Sequence, residues 1–356
     1  MKELPKKYRI KDIAKLAGVS VGTVDRVLHG RGEVSESSRS KVTEVLKNID
    51  YQPNVFASTL ASKKTYIIIC ILPHYQTGEY YEAMETGISK AAKEFGDWNI
   101  SIHMNYFNQF DETSFQEICA EVSQTKPDAV LLVPTFREIA LSFVSLLEQD
   151  NIPYVFIDSE VENAKPLSYF GQHSYQSGFL AAKLLTDTLS EKKEIVQFRM
   201  MRRSQSISNQ TSSREAGFSA YIKTMHPEIT IRQMELNAID ESENYQLLDE
   251  FFNRHPDITS AIIFNSRAYI IGEYFQERSM KHISLVGYDL LERNVACLKN
   301  NTIQFLIGQR PEKQGYNAIR ALARYLALKQ PVKWKNFMPM DILTKENIDF
   351  FFDFDE

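Results

Sequence analysis

The amino-acid sequence predicts a chain in two parts, a small all-α three-helix head followed by a larger α/β body built on parallel sheets. Three observations point to this. Apolar residues recur at helical spacing from Tyr8 to Ile49, with turn and capping residues between the segments. From Tyr66 onward short apolar runs alternate with amphipathic stretches, the pattern of βαβ units. The two parts also carry opposite charge. A length of 356 residues exceeds one ordinary compact domain, so two or three cores are expected. With 43% apolar and 24% charged residues the chain holds enough apolar surface to offset the entropy of ordering, which excludes disorder as the default.

In the head, Ile13, Ala14, Leu16 and Ala17 form one apolar stripe, and Gly18 supplies the turn that ends the first helix. Ser20 is a good N-cap for the second, with Val19 and Val24 placed as a hydrophobic staple and Val24, Val27 and Leu28 as the buried face. The other face of that helix shows Val21, Gly22, Asp25 and Arg26. His29-Gly30-Arg31-Gly32 then breaks the pattern, and Ser35 caps a third helix with Val42, Val45, Leu46 and Ile49 inward. Met1 to Lys64 carries 13 Lys and Arg against 7 Asp and Glu, about +6, which leaves about −11 for the remainder. A basic head on an acidic body suits nucleic acid, although charge alone would equally describe a solvated Lys-rich N-terminus.

The stretch IKDIAKLAGVSVGTVDRVLHGRGEVSESSRSKVTEVLKNIDYQPN resembles the helix-turn-helix head of the LacI/GalR transcriptional regulators. The resemblance implies a head over residues 1–52, a hinge helix and linker over 53–64, and an effector-binding and dimerisation body over 65–356. It also implies that the helix starting at Ser20 lies in the major groove, where a helix can read the full donor and acceptor code. Arg26 could there hold guanine O6 and N7 or a phosphate. Val21 and Gly22 stand where many members carry larger polar readers, so they offer an apolar contact to a thymine methyl and little hydrogen bonding. Asp25 could accept from a cytosine amine or pair locally with His29. Ser20, Thr23, Ser38, Arg39 and Tyr51 are natural phosphate contacts, although the hydroxyls could only cap helices. In the hinge, Pro53 can open a helix that includes Asn54, Ala57 and Leu60. By resemblance Leu60 is the apolar wedge in the minor groove, with a leucine packed against the body as the alternative. A helix this short is marginal alone, so DNA and a partner hinge must supply the compensation.

The body offers strands at YIIICIL from Tyr66, AVLLV from Ala129, YVFI from Tyr154, EIVQF from Glu194, AIIF from Ala261, SLV from Ser284 and IQFLI from Ile303. Parallel sheets bind ligands beyond the carboxyl ends of their strands. FGQHSYQSGFLAAKLL, SSREAGFSAY, LVGYDLLERN and IGQRPEKQGYNAI occur in the order of the family's periplasmic-binding-protein-like effector domain, and the whole body resembles it. The resemblance implies two Rossmann-like lobes, an N-lobe of about 65–170 and 309–337 and a C-lobe of about 171–308 and 338–356, with the ligand between them. Carried over position by position, Asp158, Arg214, Asn265, Asp289 and Gln309 surround one cleft, chemistry suited to sugar hydroxyls. Each also has an ordinary role open to it: Asp289 can cap a helix and Asn265 can close a turn. His74, Tyr75, Tyr80, Tyr81 and Phe136 are candidates for an aromatic face, as they are for core. Arg267 follows Asn265-Ser266 where the family usually has an acidic residue.

Cys70, Cys119 and Cys297 lack any ligand spacing and fall mostly among apolar neighbours, so they read as core, with no metal or cofactor expected. The N-terminus has no apolar segment of signal-peptide length and no stretch spans a membrane, which predicts a cytoplasmic protein. No HExxH, GxSxG, GxxxxGK[ST] or GxGxxG occurs, which argues against an enzyme and leaves no catalytic residue to name. The expected partners are palindromic operator DNA, a second copy of the chain, since one head reads too few base pairs, and a small effector, with a carbohydrate leading. A protein effector, or less readily a solute-binding role, stays open. No heptad tail supports a coiled-coil tetramer. Neither the effector's identity, nor inducer against corepressor, nor the operator sequence follows from these residues.

Overall fold

The computed structural model describes residues 8–29, 32–49, 64–188, 194–201, 208–238 and 242–355. The chain divides into two compact units, Met1–Ala61 and Ser62–Glu356. The expected contacts at Tyr51, Asn54, Ala57 and Leu60, and the hinge that carries them, lie outside the described residues.

Among the described residues the first unit holds three short helices, α1 (Ile10–Ala17), α2 (Val21–His29) and α3 (Glu36–Asn48). Each end has a local cause. The Arg9 amide donates to the Asp12 carboxylate at 2.9 Å, and α1 stops at Gly18, whose φ of 62° lies in the left-handed region that glycine enters without steric cost. Ser20 Oγ accepts from the Thr23 amide at 3.1 Å, and Ser35 Oγ from that of Ser38 at 3.4 Å, satisfying amides that no helical carbonyl can reach. Ile13, Ala14, Ala17, Val24 and Val42 form the core, ringed by Val19, Val27, Leu28, Val45, Leu46 and Ile49. Leu16 corrects the expected stripe. It is 56% exposed, because at 100° per residue it falls off the arc that Ile13, Ala14 and Ala17 turn toward the other helices.

Among the described residues the second unit contains two six-stranded sheets. The chain builds most of the first lobe as β1 (Tyr66–Pro73), α4 (Tyr80–Phe95), β2 (Ile100–Phe107), α5 (Glu112–Thr125), β3 (Ala129–Leu132), α6 (Arg137–Gln149), β4 (Tyr154–Asp158) and β5 (Ser168–Gly171). It then crosses to form α7 (Ser174–Thr186), β6 (Glu194–Met201), α8 (Asn209–Met225), β7 (Thr230–Asn237), α9 (Asn244–Arg254), β8 (Ser260–Ile263), α10 (Ala268–Glu277), β9 (Ser284–Tyr288), α11 (Glu292–Lys299) and β10 (Phe305–Gly308). It returns as α12 (Pro311–Leu328) and β11 (Lys335–Phe337), and crosses once more to β12 (Asp341–Leu343) and α13 (Ile348–Asp355). The sheet orders are β11-β5-β4-β3-β1-β2 and β12-β10-β9-β8-β6-β7. All pairs are parallel except β10 with β12. This is the doubly wound α/β architecture expected. Inner strands such as β3 and β4 are buried on both faces, which is why they read as unbroken apolar runs.

One amide ties the three crossings together. Gln172, just past the first, donates through Nε2 to the Gly308 carbonyl at 2.7 Å and the Pro339 carbonyl at 3.0 Å, at the second and third. Two helix pairs fix the lobes' outer layers by close backbone approach. A Cβ on Gly178 of α7 would stand 1.9 Å from the Arg214 carbonyl oxygen of α8, and one on Gly217 of α8 would stand 1.9 Å from that of Tyr175. Gly87 of α4 and Gly315 of α12 make the same reciprocal contact in the other lobe. Gly178→Ala is therefore expected to lower the stability of the body by about 1–3 kcal/mol, as overpacking does. Gly96→Ala, in helical conformation with nothing within 4 Å of the new methyl, should instead gain about 0.4–1 kcal/mol. Denaturant midpoints of the two variants check the opposite signs.

Candidate functional site

The carboxyl ends of the two sheets face each other, and their polar side chains converge in a cleft between the lobes. Asp158 ends β4 and Asp289 follows β9, the fourth strand of each lobe in chain order. Both have φ 71°, a left-handed backbone that aspartate tolerates better than most residues. Both are buried. Tyr80 Oη donates to Asp158 Oδ1 at 2.9 Å, and Tyr81 Oη lies 3.5 Å from Oδ2. Across the cleft, Gln210 from the first turn of α8 donates through Nε2 to Asp158 Oδ1 at 2.9 Å and to Gln309 Oε1 at 3.0 Å. Gln309 Nε2 in turn donates to Asp289 Oδ1 at 2.8 Å. An unbroken chain of hydrogen bonds thus runs from the carboxylate of one lobe to that of the other.

Arg214 is the buried cation of this group, with 0% exposure. Its Nη1 donates to the Phe264 carbonyl at 2.7 Å, and its guanidinium carbon lies 3.9 Å over the Tyr288 ring. Nε and Nη2 have no hydrogen-bond partner among the described residues. Burial pushes the Asp289 carboxyl up to about 7, against the opposing pull of Arg214 and the Gln309 amide. Burial also raises Asp158, opposed by Tyr80, Arg214 and Gln210. Two buried carboxylates are stabilised by one buried guanidinium that keeps two unpartnered nitrogens among the described residues.

The structure brings Asp158, Arg214, Asn265, Asp289 and Gln309 together with Tyr80 and Tyr81. Asn265 lines the cleft and its Oδ1 accepts from the Arg267 amide at 2.9 Å, holding the turn after β8. His74, Tyr75 and Phe136 it places elsewhere. His74 stacks on Tyr106 with ring centroids 5.2 Å apart, and Tyr75 and Tyr106 both donate to Glu85 Oε2 at 2.8 Å. Phe136 is buried beside Phe115 in the core between β3 and α6. Aromatic residues past a strand are as often core as binding face; here Phe136 is buried in the lobe interior, while Tyr75 is half-buried and His74 exposed, and neither lines the cleft. Three residues that the sequence did not single out complete the site. Gln210 is the bridge between lobes. Gln314 donates to the Gln309 carbonyl at 2.9 Å and lies 3.3 Å from Tyr80 Oη. Asn294 pins the turn after β9 by donating to the carbonyls of Tyr288 and Asp289, both at 3.0 Å, and to that of Ser266 at 2.9 Å. Of these Asn294 and Gln314 had a signal, their places in LVGYDLLERN and IGQRPEKQGYNAI; Gln210, a polar amide in a first turn, had none.

On α2 of the head, Val21, Gly22 and Arg26 are exposed, with Val21 at 52%, while Val24 is fully buried. Ser20 and Arg39 are also exposed; Thr23, Asp25 and Ser38 are partly so. The face opposite the core thus presents the expected side chains. The three cysteines are buried, with burial holding their thiols protonated. Among the described residues no cluster of His, Cys, Asp and Glu could hold a metal ion, and no helix is long and apolar enough to cross a membrane.

The raised Asp289 carboxyl has a consequence for stability. Between about pH 4, where the unfolded chain loses this proton, and about pH 7, where the folded one does, the folded state binds more protons and so loses stability as pH rises. Asp289→Asn keeps an acceptor for Gln309 and removes the proton. The variant is expected to lose less thermal midpoint than the parent between pH 5 and 7.5; parallel curves would contradict the assignment.

The head matches the model of the "Bacterial regulatory proteins, lacI family" over residues 9–54, and the body matches "Periplasmic binding protein domain" over residues 69–330. A protein of solved structure from Bacteroides fragilis, assigned as a LacI transcriptional regulator, is 43% identical, with a TM-score of 0.78 over 81% of this chain and 99% of its own. The sucrose operon repressor of Staphylococcus xylosus is 28% identical over 176 residues, 49% of this chain and 52% of its own. Catabolite control protein B of Bacillus subtilis is 46% identical over 83 residues, 23% of this chain and 26% of its own. The match to the sucrose operon repressor spans about half that protein's length. GanP, a glucose-galactose binding protein of Geobacillus stearothermophilus, shares the body's fold at 19% identity, with a TM-score of 0.70 over 80% of this chain and 99% of its own. By head, body and their order, the chain belongs to the LacI family of bacterial regulatory proteins.

Proposed function

We propose that the chain is a DNA-binding transcriptional repressor whose hold on a palindromic operator, gripped by a homodimer, is switched by a carbohydrate or carbohydrate derivative in the interlobe cleft. The observation that carries the sensor half is the hydrogen-bond chain Asp158–Gln210–Gln309–Asp289 around Arg214, because it crosses from lobe to lobe. A ligand that inserts its hydroxyls among these groups binds one lobe arrangement better than another, and only such a difference can move an equilibrium. A thousandfold change in operator affinity requires about 4 kcal/mol of differential affinity, within reach of a few buried charge-assisted hydrogen bonds. A polyol suits the group, since each hydroxyl both donates to a carboxylate and accepts from a guanidinium.

The DNA half rests on α2, whose exposed Val21, Gly22 and Arg26 back onto a buried Val24, and on membership of a family whose relatives include an operon repressor. Arg26→Ala in the full chain is expected to weaken binding to an operator selected from genomic fragments by about 1–3 kcal/mol, roughly fivefold to over a hundredfold. Relaxed choice at one base pair would mark a base contact; uniform weakening with a salt slope shallower by about one would mark a phosphate. Full-strength binding by the variant would remove α2 from the interface. For the sensor, a saccharide that raises the thermal midpoint of the parent should lose that effect in Asp158→Asn and Asp289→Asn.

A further inference from the structure

The cleft has a second chamber outside the one that holds the buried carboxylates. The inner, with an open volume of about 540 Å³, is walled by Asp158, Asp289, Gln210 and Gln309. The outer, about 740 Å³, is walled by Glu79, Phe110, Arg199, Met200, Ala238 and Arg267. Tyr80, Tyr81, Gln109, Ser208, Asn265 and Ser266 line both, so the two are continuous.

The outer walls place the rings of Phe110 and Tyr81 beside amides and hydroxyls, the combination that takes the apolar face and polar rim of a sugar ring. Its charges are already matched. Arg199 grips the Glu215 carboxylate with two nitrogens, Nε at 2.8 Å from Oε1 and Nη2 on Oε2. Arg267 donates to the Ala238 carbonyl at 2.6 Å, lies 3.7 Å from Glu79, and covers the Phe110 ring at 5.4 Å. A phosphate or carboxylate entering here would have to break these contacts and leave a buried or half-buried carboxylate behind, which costs more than a neutral hydroxyl does. Glu79, Tyr81 and Phe110 belong to one lobe, and Asn265, Ser266 and Arg267 to the other, so an occupant of the outer chamber adds contacts across the cleft.

Building on the sugar reading of the inner chamber, we infer that the effector is a neutral disaccharide or longer saccharide, one unit held by Asp158, Asp289, Gln309 and Arg214 and the next by the outer chamber. The test titrates the full chain by calorimetry with maltose, cellobiose, lactose, melibiose, sucrose and xylobiose, with glucose, galactose, fructose and xylose, and with glucose 6-phosphate. The expected result is a disaccharide that binds at least about tenfold tighter than either of its constituent monosaccharides, with Phe110→Ala and Arg267→Gln removing that margin and leaving monosaccharide affinity within about twofold. A monosaccharide equal to every disaccharide that contains it, glucose 6-phosphate binding tighter than any neutral saccharide, or a margin untouched by both variants would overturn the two-chamber assignment while leaving the sugar reading intact. Binding of none of the eleven compounds would overturn the sugar reading, and the two-chamber assignment with it.

Discussion

Two carboxylates and one guanidinium buried at the meeting of two sheets set the terms for the rest of the body. An isolated buried charge is costly, and a pair remains costly unless its remaining lone pairs and protons are engaged. Asp158 and Asp289 are built into opposite lobes, and the amides that engage them reach across or sit on the crossing itself: Gln210 on α8 and Gln309 just past β10. The lobes can part only by trading these hydrogen bonds for water or for a ligand.

The scaffold supplies what the exchange requires. Gln172 gathers the three crossings through two carbonyls, which concentrates any lobe motion at one place. The reciprocal glycine contacts of α7 with α8 and of α4 with α12 let those helices approach to backbone contact, and they carry Arg214 on one pair and Gln314 with Tyr80 on the other. The close-packed helix pairs thus place Arg214, Gln314 and Tyr80 in the group around the two carboxylates. Asn294 and the left-handed backbone of Asp158 and Asp289 finish the work locally, turning each carboxylate inward at the end of its strand.

Much of this was legible in the residues, for physical reasons that also explain the gaps. Inner strands such as β3 and β4 announce themselves as apolar runs because both faces are buried, whereas β5 (SYFG), also inner and buried, is too short and too polar to stand out; β2, β7, β11 and β12 at sheet edges have more open positions and pass unnoticed, as ISIHMNYF does. Asp158, Asn265, Asp289 and Gln309 came from the family resemblance carried over position by position, and all four end or follow strands, in keeping with the rule that ligands bind beyond strand ends. That rule gives no help with Gln210 or Gln314, whose importance depends on how two helices from different stretches of chain are brought together. His74, Tyr75 and Phe136 followed strands too, and packed instead with Tyr106, Glu85 and Phe115. Leu16 shows the limit of periodicity in a short helix, where one residue at the margin of the stripe stays exposed.

The central claim is that occupation of the cleft and the grip of α2 on DNA are two ends of one equilibrium. The most direct test measures four affinities on the full chain: operator with and without a saturating saccharide, and that saccharide with and without the operator. Linkage requires the two ratios to be equal. The account predicts a common factor well away from one; a saccharide that binds in the cleft and leaves operator affinity unchanged would contradict it.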